Sequence, residues 1–348
     1  MAPVLAVKDL RVYFHTPNGV VKAVDDVSFD IEPGERFGLI GESGSGKSTI
    51  ALAILRLIRA PGRIETGEIW LDGESLLELS DEEMRRRRLA SVAMVAQGAM
   101  NSLNPVIRIR RQFADGLNSH GEPVTADEAH QRLADLLVRV GLDPSVADVY
   151  PHQLSGGMKQ RVCIALAMSL RPHLVIADEP TSALDVVVQR QVVDTLRQVQ
   201  EEFNTAVLLI GHDMGLMAQF ATRVGVMYAG KLVEQGPVRQ IFRQPQHPYT
   251  RILMESLPSL DQKEPLQKVK GAPPSAANRP SGCVFHPRCP DVMERCVLEP
   301  PVYREVAPDQ WAACHLQDED ILYQGLSDAD ANVGDADANV RSQTGGVR

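Results

Sequence analysis

The sequence predicts an α/β fold whose core is a parallel sheet covered by helices. Two short apolar runs, 174–179 (LVIADE) and 206–212 (AVLLIGH), are typical of buried parallel strands. The segment between them, 186–203, has the apolar spacing of a crossover helix. A third apolar strand, 36–41, runs into a glycine-rich loop and then a helical pattern at 47–58. Strands that alternate with helices in this way predict a parallel sheet.

The remaining elements lie on either side of this core. Residues 4–14 and 20–31 have the pattern of paired strands, joined by a turn at 17–19, and Pro33-Gly34 makes a second turn. Ser80, with Glu83 three residues later, predicts a capping box at the start of a basic helix. Residues 98–153 are more polar and mostly helical in pattern.

Length and charge restrict the function classes. The 348 residues suffice for one large domain with an appendage or for two modest domains, and 44% of them are hydrophobic, as in globular proteins. The net charge of −9 argues against broad binding to nucleic acid. The sequence shows neither an apolar run near the roughly 20 residues of a membrane span nor a secretory signal. We therefore expect a cytoplasmic protein that reaches a membrane only through partners.

The composition changes after about residue 258. Pro-rich linkers follow, then four cysteines within 283–314, and finally a tail at 317–348 with seven acidic and two basic residues and a repeated DADANV. This tail has little to bury, so we expect it to be disordered. Cytosolic proteins seldom keep structural disulfides, so the cysteine cluster suggests a metal site.

A phosphate-binding loop is the strongest chemical motif. Residues 41–48 (GESGSGKS) match G-x-x-x-x-G-K-[ST], between an apolar strand and a helix. Its glycines turn backbone N–H groups toward phosphate oxygens, and the positive end of the next helix points at them. Lys47 is expected to reach the β- and γ-phosphates, and Ser48 to bind Mg²⁺. The predicted ATP contacts here are Gly41, Ser43, Gly44, Ser45, Gly46, Lys47, Ser48 and Thr49.

Two carboxylates end the strand at 174–179. Asp178 is expected to hold the magnesium shell, and Glu179 to polarise the attacking water. The alternative for Glu179 is a surface residue at the end of a strand.

At 154–158 the sequence LSGGM precedes a helical segment and then the Asp178-Glu179 strand. With the phosphate loop, it resembles the nucleotide-binding subunits of ATP-binding cassette (ABC) transporters. The resemblance covers roughly 4–258 and implies an α/β P-loop NTPase fold. That fold has a RecA-like core, an antiparallel edge sheet, a helical subdomain at about 98–160 and a loop-rich extension at 259–316. It also implies that Ser155, Gly156 and Gly157 contact ATP bound by a second cassette.

Further family positions follow in order. Gln97 resembles the Q-loop glutamine, which senses Mg²⁺ and water; Asp185 resembles the D-loop aspartate at the dimer interface; His212 resembles the switch histidine. Phe14 lies where the family stacks an aromatic ring on adenine, although Tyr13 is an alternative. The resemblance thus implies that Glu179, His212, Gln97 and Lys47 carry ATP hydrolysis.

Segments at 102–105 (SLNP), 150–153 (YPHQ), 227–230 (MYAG) and 247–250 (HPYT) resemble the oligopeptide/dipeptide importer branch. This implies two membrane permease subunits, a second ATPase that is a paralogue, an extracytoplasmic solute-binding protein and a position at the cytoplasmic face of the membrane. Related importers with this extension carry oligosaccharides or nickel, which are the alternative substrates.

The four clustered cysteines, Cys283, Cys289, Cys296 and Cys314, have the spacing C-x5-C-x6-C-x17-C. Four thiolates suit zinc or an iron–sulfur cluster, but short zinc modules normally use closer pairs. Some members of the resembled branch carry a [4Fe–4S] cluster here, so we favour that cluster over zinc or unliganded thiols. Cys163 is expected to be a core residue.

Two classes of non-transport ABC ATPase fit less well. Chromosome and DNA-repair ATPases need a long coiled coil between the phosphate loop and Asp178, but only about 130 residues without heptads separate Lys47 from it. Regulatory or translation-factor cassettes need two cassettes or lost catalytic residues, whereas Glu179 and His212 are present.

Overall fold

The computed structural model describes residues 2–98, 102–122, 124–182, 184–256, 271–275 and 277–318. Its strands are β1 Leu5–Thr16, β2 Gly19–Ile31, β3 Arg36–Ile40, β4 Gly62–Leu71, β5 Glu74–Ser75, β6 Val92–Val95, β7 Leu174–Asp178, β8 Ala206–Gly211, β9 Arg223–Tyr228, β10 Lys231–Pro237, β11 Arg304–Ala307 and β12 Gln310–Ala312. Its α-helices are α1 Lys47–Ile54, α2 Asp81–Arg87, α3 Ile109–Ser119, α4 Ala126–Arg139, α5 Gly156–Ala167, α6 Val186–Phe203, α7 Met214–Phe220, α8 Val238–Arg243, α9 Pro248–Glu255 and α10 Glu294–Leu298.

The core is a sheet in the order β11-β12-β10-β9-β3-β8-β7-β6. The strands from β9 to β6 pair in parallel, and every residue of β7 and β8 is buried. This confirms the parallel core and the crossover helix α6. Because parallel strands end at the same edge, their carboxyl-terminal loops meet there.

A second, antiparallel sheet has the order β2-β1-β4-β5, and its β1–β2 pair is the one that the hairpin pattern predicts. Phe14 in β1 lies opposite Val21 in β2. The apolar face of this antiparallel sheet packs on α1. Helix α1 is shorter than the predicted 47–58. Arg56, just after the helix, has a φ of 50° and cannot continue it.

Helices α3, α4 and α5 lie between β6 and β7 in the chain; α3 and α4 fall inside the range predicted for a helical subdomain, about 98–160, whereas α5 begins inside it and ends at Ala167. Phe113, Leu117, Leu133 and Leu137 form part of their shared apolar core. Capping boxes start α4 at Thr125 and, as predicted, α2 at Ser80. Across the described ranges, none of the helices is long and apolar enough to cross a bilayer.

The extension contains more regular structure than its loop-rich sequence indicates. The hairpin β11–β12 pairs antiparallel with β10, with Glu234 opposite Ala312, and so continues the core sheet. Gln317 ends a helical turn, and Asp318 forms a hydrogen bond with His315. The rest of the predicted acidic tail lies outside the described residues.

Candidate functional site

The phosphate loop joins β3 to α1 and requires glycine at its ends. Gly41 and Gly46 have φ values of 150° and 104°. A Cβ on Gly46 would collide with the carbonyl oxygen of Ala23, and one on Gly41 with that of Met227. The loop therefore lies directly against the β2 and β9 backbones. Ser43, Gly44 and Ser45 form its middle, and Ser48 and Thr49 follow in the first turn of α1.

Lys47 points into this loop. Its Nζ donates to the carbonyl oxygens of Gly41 at 2.8 Å and Glu42 at 3.0 Å. The residue is only 5% exposed, and burial lowers the pKa of its amine. These contacts place a positive charge beside the backbone N–H groups where phosphates are expected to bind.

Ser48 and Asp178 form the predicted magnesium-binding pair. The Ser48 Oγ donates to Asp178 Oδ1 at 3.1 Å, although 130 residues separate them in the chain. Asp178 is 4% exposed, and burial raises the pKa of its carboxyl. A hydroxyl and a carboxylate oxygen at this spacing suit Mg²⁺, which takes few protein ligands beside substrate phosphates.

Glu179 joins the other predicted catalytic residues. Gln97 Nε2 donates to Glu179 Oε2 at 2.9 Å, and His212 Nδ1 lies 3.4 Å from Oε1. These three side chains follow β6, β7 and β8, which are neighbours in the sheet. Glu179 has a φ of 44°, and its backbone N–H donates to Ile210. The sheet thus brings a carboxylate, an amide and an imidazole to one edge.

The two candidate adenine rings have different surroundings. Tyr13 Oη donates to Asp25 at 2.5 Å, and burial, together with this bond, raises the pKa of Tyr13 to about 12. The Phe14 ring lies over Gly62, where a Cβ would approach it to 2.5 Å. That Phe14, which is half-buried, stacks on adenine stays a prediction, with Tyr13 as the alternative.

The residues predicted to act across a dimer begin two packed helices. Ser155 caps α5 by accepting from the N–H of Met158, and Asp185 caps α6 by accepting from Val187 and Val188. A Cβ on Gly157 would lie 2.5 Å from Val188, so glycine allows α5 and α6 to approach closely. Gly156 is the first residue of α5. Their contact with a second cassette's ATP stays a prediction.

The four cysteines of the extension lie close enough to influence one another electrostatically. Burial raises the pKa of Cys289 to about 11 and of Cys314 to about 12, and nearby thiols contribute. Cys283 and Cys296 are buried. However, no three His, Cys, Asp or Glu side chains within the described parts of the chain are grouped to hold a metal ion. The donors suit a soft metal, but as placed they do not enclose one.

Two contacts to the phosphate loop were not predicted. The Tyr249 Oη accepts from the N–H of Glu42 at 3.0 Å, and Arg288 forms an ion pair with the Glu42 carboxylate. They lie 207 and 246 residues from Glu42, respectively. The sequence carries no signal that would pair positions so far apart.

Comparison with known proteins identifies this arrangement. The family described as "ABC transporter" matches residues 24–182, and "Oligopeptide/dipeptide transporter, C-terminal region" matches residues 233–296. The dipeptide transport ATP-binding protein DppD of Escherichia coli is 44% identical over 314 residues, which are 89% of this chain and 96% of DppD. The oligopeptide transport ATP-binding protein OppD of the same organism is 42% identical over 91% of this chain and 94% of its own length.

A solved structure shows the same cassette fold. It is the ATP-binding cassette MJ0796 in a dimeric post-hydrolysis state bound to ADP and Pi. This structure has a TM-score of 0.61 and 26% identity, and covers 68% of our chain and 99% of its own. These matches agree with the phosphate loop and the Asp178–Glu179 site at the edge of the parallel sheet. The chain therefore belongs to the ABC transporter family, as an ATP-binding ATPase subunit of the oligopeptide/dipeptide group.

Proposed function

We propose that the chain hydrolyses ATP to power the import of oligopeptides or dipeptides through partner permease subunits. The relatives that match nearly the full chain are named for dipeptide and oligopeptide transport. The second matched family supports the same branch, because it covers most of β10, all of α9 and three of the four clustered cysteines. Oligosaccharide or nickel import by the same kind of machine is the second candidate.

One observation carries the proposed hydrolysis: Glu179 contacts both Gln97 and His212 next to the Ser48–Asp178 pair. In the reaction ATP + H₂O → ADP + phosphate, Glu179 accepts a hydrogen bond from the attacking water and polarises it. His212 and Gln97 hold the Glu179 carboxylate, and Lys47 stabilises charge on the transferred phosphate. Mg²⁺, when held by Ser48 and Asp178, neutralises phosphate charge.

The proposed assembly has two cassettes arranged head to tail. Ser155, Gly156 and Gly157 of each cassette would contact the ATP held by the other, and Asp185 would lie at the interface. The second cassette is proposed to be a paralogue, in a complex with two permeases and an extracytoplasmic solute-binding protein. The chain would then work at the cytoplasmic face of the membrane.

Replacing Glu179 with Gln tests the hydrolytic role. We expect ATP hydrolysis to fall by about 100-fold or more, because the carboxylate that polarises water is lost. Binding of ATP, measured by calorimetry, is expected to persist. Glu201→Gln, at an exposed residue of α6, is the matched control. Unchanged hydrolysis in the Glu179 variant would exclude the assigned role.

The substrate requires a separate measurement. In a strain that lacks the chromosomal copy, the wild-type chain is expected to restore uptake of a labelled dipeptide or pentapeptide, and Glu179→Gln is expected not to. Restored uptake of maltotriose or Ni²⁺, with none of either peptide, would favour the second candidate.

For the extension we propose a thiolate-bound group at Cys283, Cys289, Cys296 and Cys314, a [4Fe–4S] cluster in preference to Zn²⁺. Two observations support this proposal. The four thiols are close enough to interact electrostatically, and backbone N–H groups donate to Cys283, Cys289 and Cys314. Anaerobically purified protein is expected to be brown, to contain four irons per chain and to absorb near the blue-violet edge of the visible range. Cys296→Ser should remove the iron and Cys163→Ser, in α5, should retain it. Stoichiometric zinc would select the alternative, and protein free of both metals would refute the proposal.

A further inference from the structure

The extension contacts the phosphate loop through a two-point ion pair whose arginine is buried. Arg288 Nη1 donates to Glu42 Oε2 at 2.7 Å, and Arg288 Nη2 donates to Oε1 at 3.0 Å. The Arg288 side chain is 6% exposed and the Glu42 side chain 24%. Parallel N–H···O bonds of this kind fix direction as well as distance.

Other contacts fix the position of the Arg288 guanidinium. Nη1 also donates to the Tyr228 hydroxyl at 3.1 Å, and Nη2 to the carbonyl oxygen of Gly271 at 3.0 Å. Although burial opposes its charge, hydrogen bonds to Glu42 and Tyr228 hold the pKa of Arg288 above its usual value. The guanidinium is therefore a fixed cation and not a mobile surface group.

An aromatic cluster anchors the same region. Tyr228, Tyr249 and Phe285 are fully buried, with ring centroids 4.7 to 5.3 Å apart. Phe285 comes from the extension, and Tyr228 ends β9 in the core sheet. Packing of this kind leaves Arg288, three residues after Phe285, little freedom to move.

Glu42 is consequently held on three sides. Its carboxylate is bound by Arg288, its N–H donates to Tyr249, and its carbonyl oxygen accepts from Lys47 Nζ. The last contact connects the ion pair to the lysine that is expected to bind phosphate. A movement of Glu42 therefore changes the backbone on which Lys47 rests.

We propose that Arg288 is a positioning residue for ATP binding, which pre-orders the phosphate loop through Glu42. The docked extension thereby sets the nucleotide affinity of the cassette. Without Arg288, ATP must order the loop itself, and the cost appears as weaker binding. The inference is independent of the solute that the transporter carries.

The test compares Arg288→Gln with Arg251→Gln in the full chain. Arg251 in α9 forms an ion pair with Asp291, so it also ties the extension to the body, but without contact to Glu42. We measure the Kd for the non-hydrolysable analogue AMP-PNP with Mg²⁺ by calorimetry, and KM and kcat for ATP. Arg288→Gln is expected to raise Kd and KM about tenfold with little change in kcat, because it weakens binding of the ground state and of the transition state equally. Arg251→Gln is expected to leave all three near wild type.

Two further variants separate positioning from folding. Glu42→Gln, which leaves the extension intact, is expected to weaken AMP-PNP binding to a similar extent, and adding Arg288→Gln is expected to produce little further loss. Arg288→Lys keeps the charge but not the two-point geometry, so its Kd should be intermediate. Three results would each overturn the proposal. The first is wild-type AMP-PNP affinity in Arg288→Gln and Glu42→Gln, and the second is an additive loss of affinity when the two are combined. The third is a loss of affinity in Arg251→Gln equal to that in Arg288→Gln.

Discussion

At the scale of single residues, the nucleotide site depends on where the backbone leaves no room for a Cβ. Gly46 and Gly73 both have φ in the left-handed region, at 104° and 80°. Around Gly73 the space is open, whereas Gly46 faces the carbonyl oxygen of Ala23. Position 46 therefore requires glycine for two reasons, its positive φ and the nearby carbonyl oxygen, whereas position 73 requires it only for its positive φ.

Gly46→Ala and Gly73→Ala separate these demands. We expect Gly73→Ala to lower the free energy of unfolding by about 1 kcal/mol, through backbone strain alone. Gly46→Ala should cost about 3 kcal/mol or more and displace the loop, so that AMP-PNP binding falls as well. Chemical denaturation and calorimetry measure both quantities. An equal fall in the free energy of unfolding in the two variants would show that the close approach to Ala23 adds no energetic cost.

The elements show which features a sequence can predict. The apolar patterns predict strands β7 and β8, which are buried throughout, and helix α6, which buries one face. The hairpin β11–β12 was missed because strands of four and three residues are too short to show alternation. Within the site, the phosphate-loop motif predicted Lys47 and Ser48, and the end of a buried strand predicted Asp178. The pairing of Arg288 with Glu42 arises from packing alone.

Helix α9 contains an element whose stability depends on pH. Its N-terminal cap is His247, whose Nδ1 accepts from the N–H of Tyr249 at 3.1 Å. Burial, together with the charge of Arg251, lowers the pKa of His247 to about 3. The unfolded chain binds a proton at this residue near its usual pKa of about 6.5, whereas the folded chain does not. The stability contributed by neutral His247 is therefore present above that pH and lost as the pH falls.

His247→Asn measures this dependence, because the Asn Oδ1 can accept the same capping bond. Between pH 7.5 and 5, the unfolding free energy of the wild type should fall by about 2 kcal/mol relative to the variant. Urea denaturation at a series of pH values gives the difference. Parallel pH profiles for the two proteins would indicate that His247 titrates normally in the folded state.

At the scale of the molecule, one buried carboxylate connects the core sheet to the extension. Glu234 in β10 is fully buried and accepts from the N–H groups of Gln246 and His247 and from Gln310 Nε2 in β12. Burial raises the pKa of its carboxyl above the usual value, although these donors oppose the shift. Core, α9 and hairpin thus share one acceptor.

Glu234→Ala is expected to destabilise the whole described body, not the extension alone. Three donors, two of them on the buried residues His247 and Gln310, would lose this acceptor, which we expect to cost about 3 kcal/mol or more. Thermal unfolding should remain one transition at a lower temperature. Glu305→Ala, at an exposed residue of β11, is the control and should change little. A separate early transition in the Glu234 variant would mean that the extension unfolds independently.

The hairpin on β10 has a consequence for solubility. Without β12, the backbone N–H and C=O groups of β10 would be exposed beside the buried residues Leu232 and Val233. Unprotected apolar edges of this kind recruit strands from other chains. The hairpin moves the free edge outward to β11, where Arg304 and Glu305 place charges against such pairing. A chain that ended before residue 304 would therefore expose this edge of β10 to pairing with other chains. In this way the extension also protects the cassette from self-association.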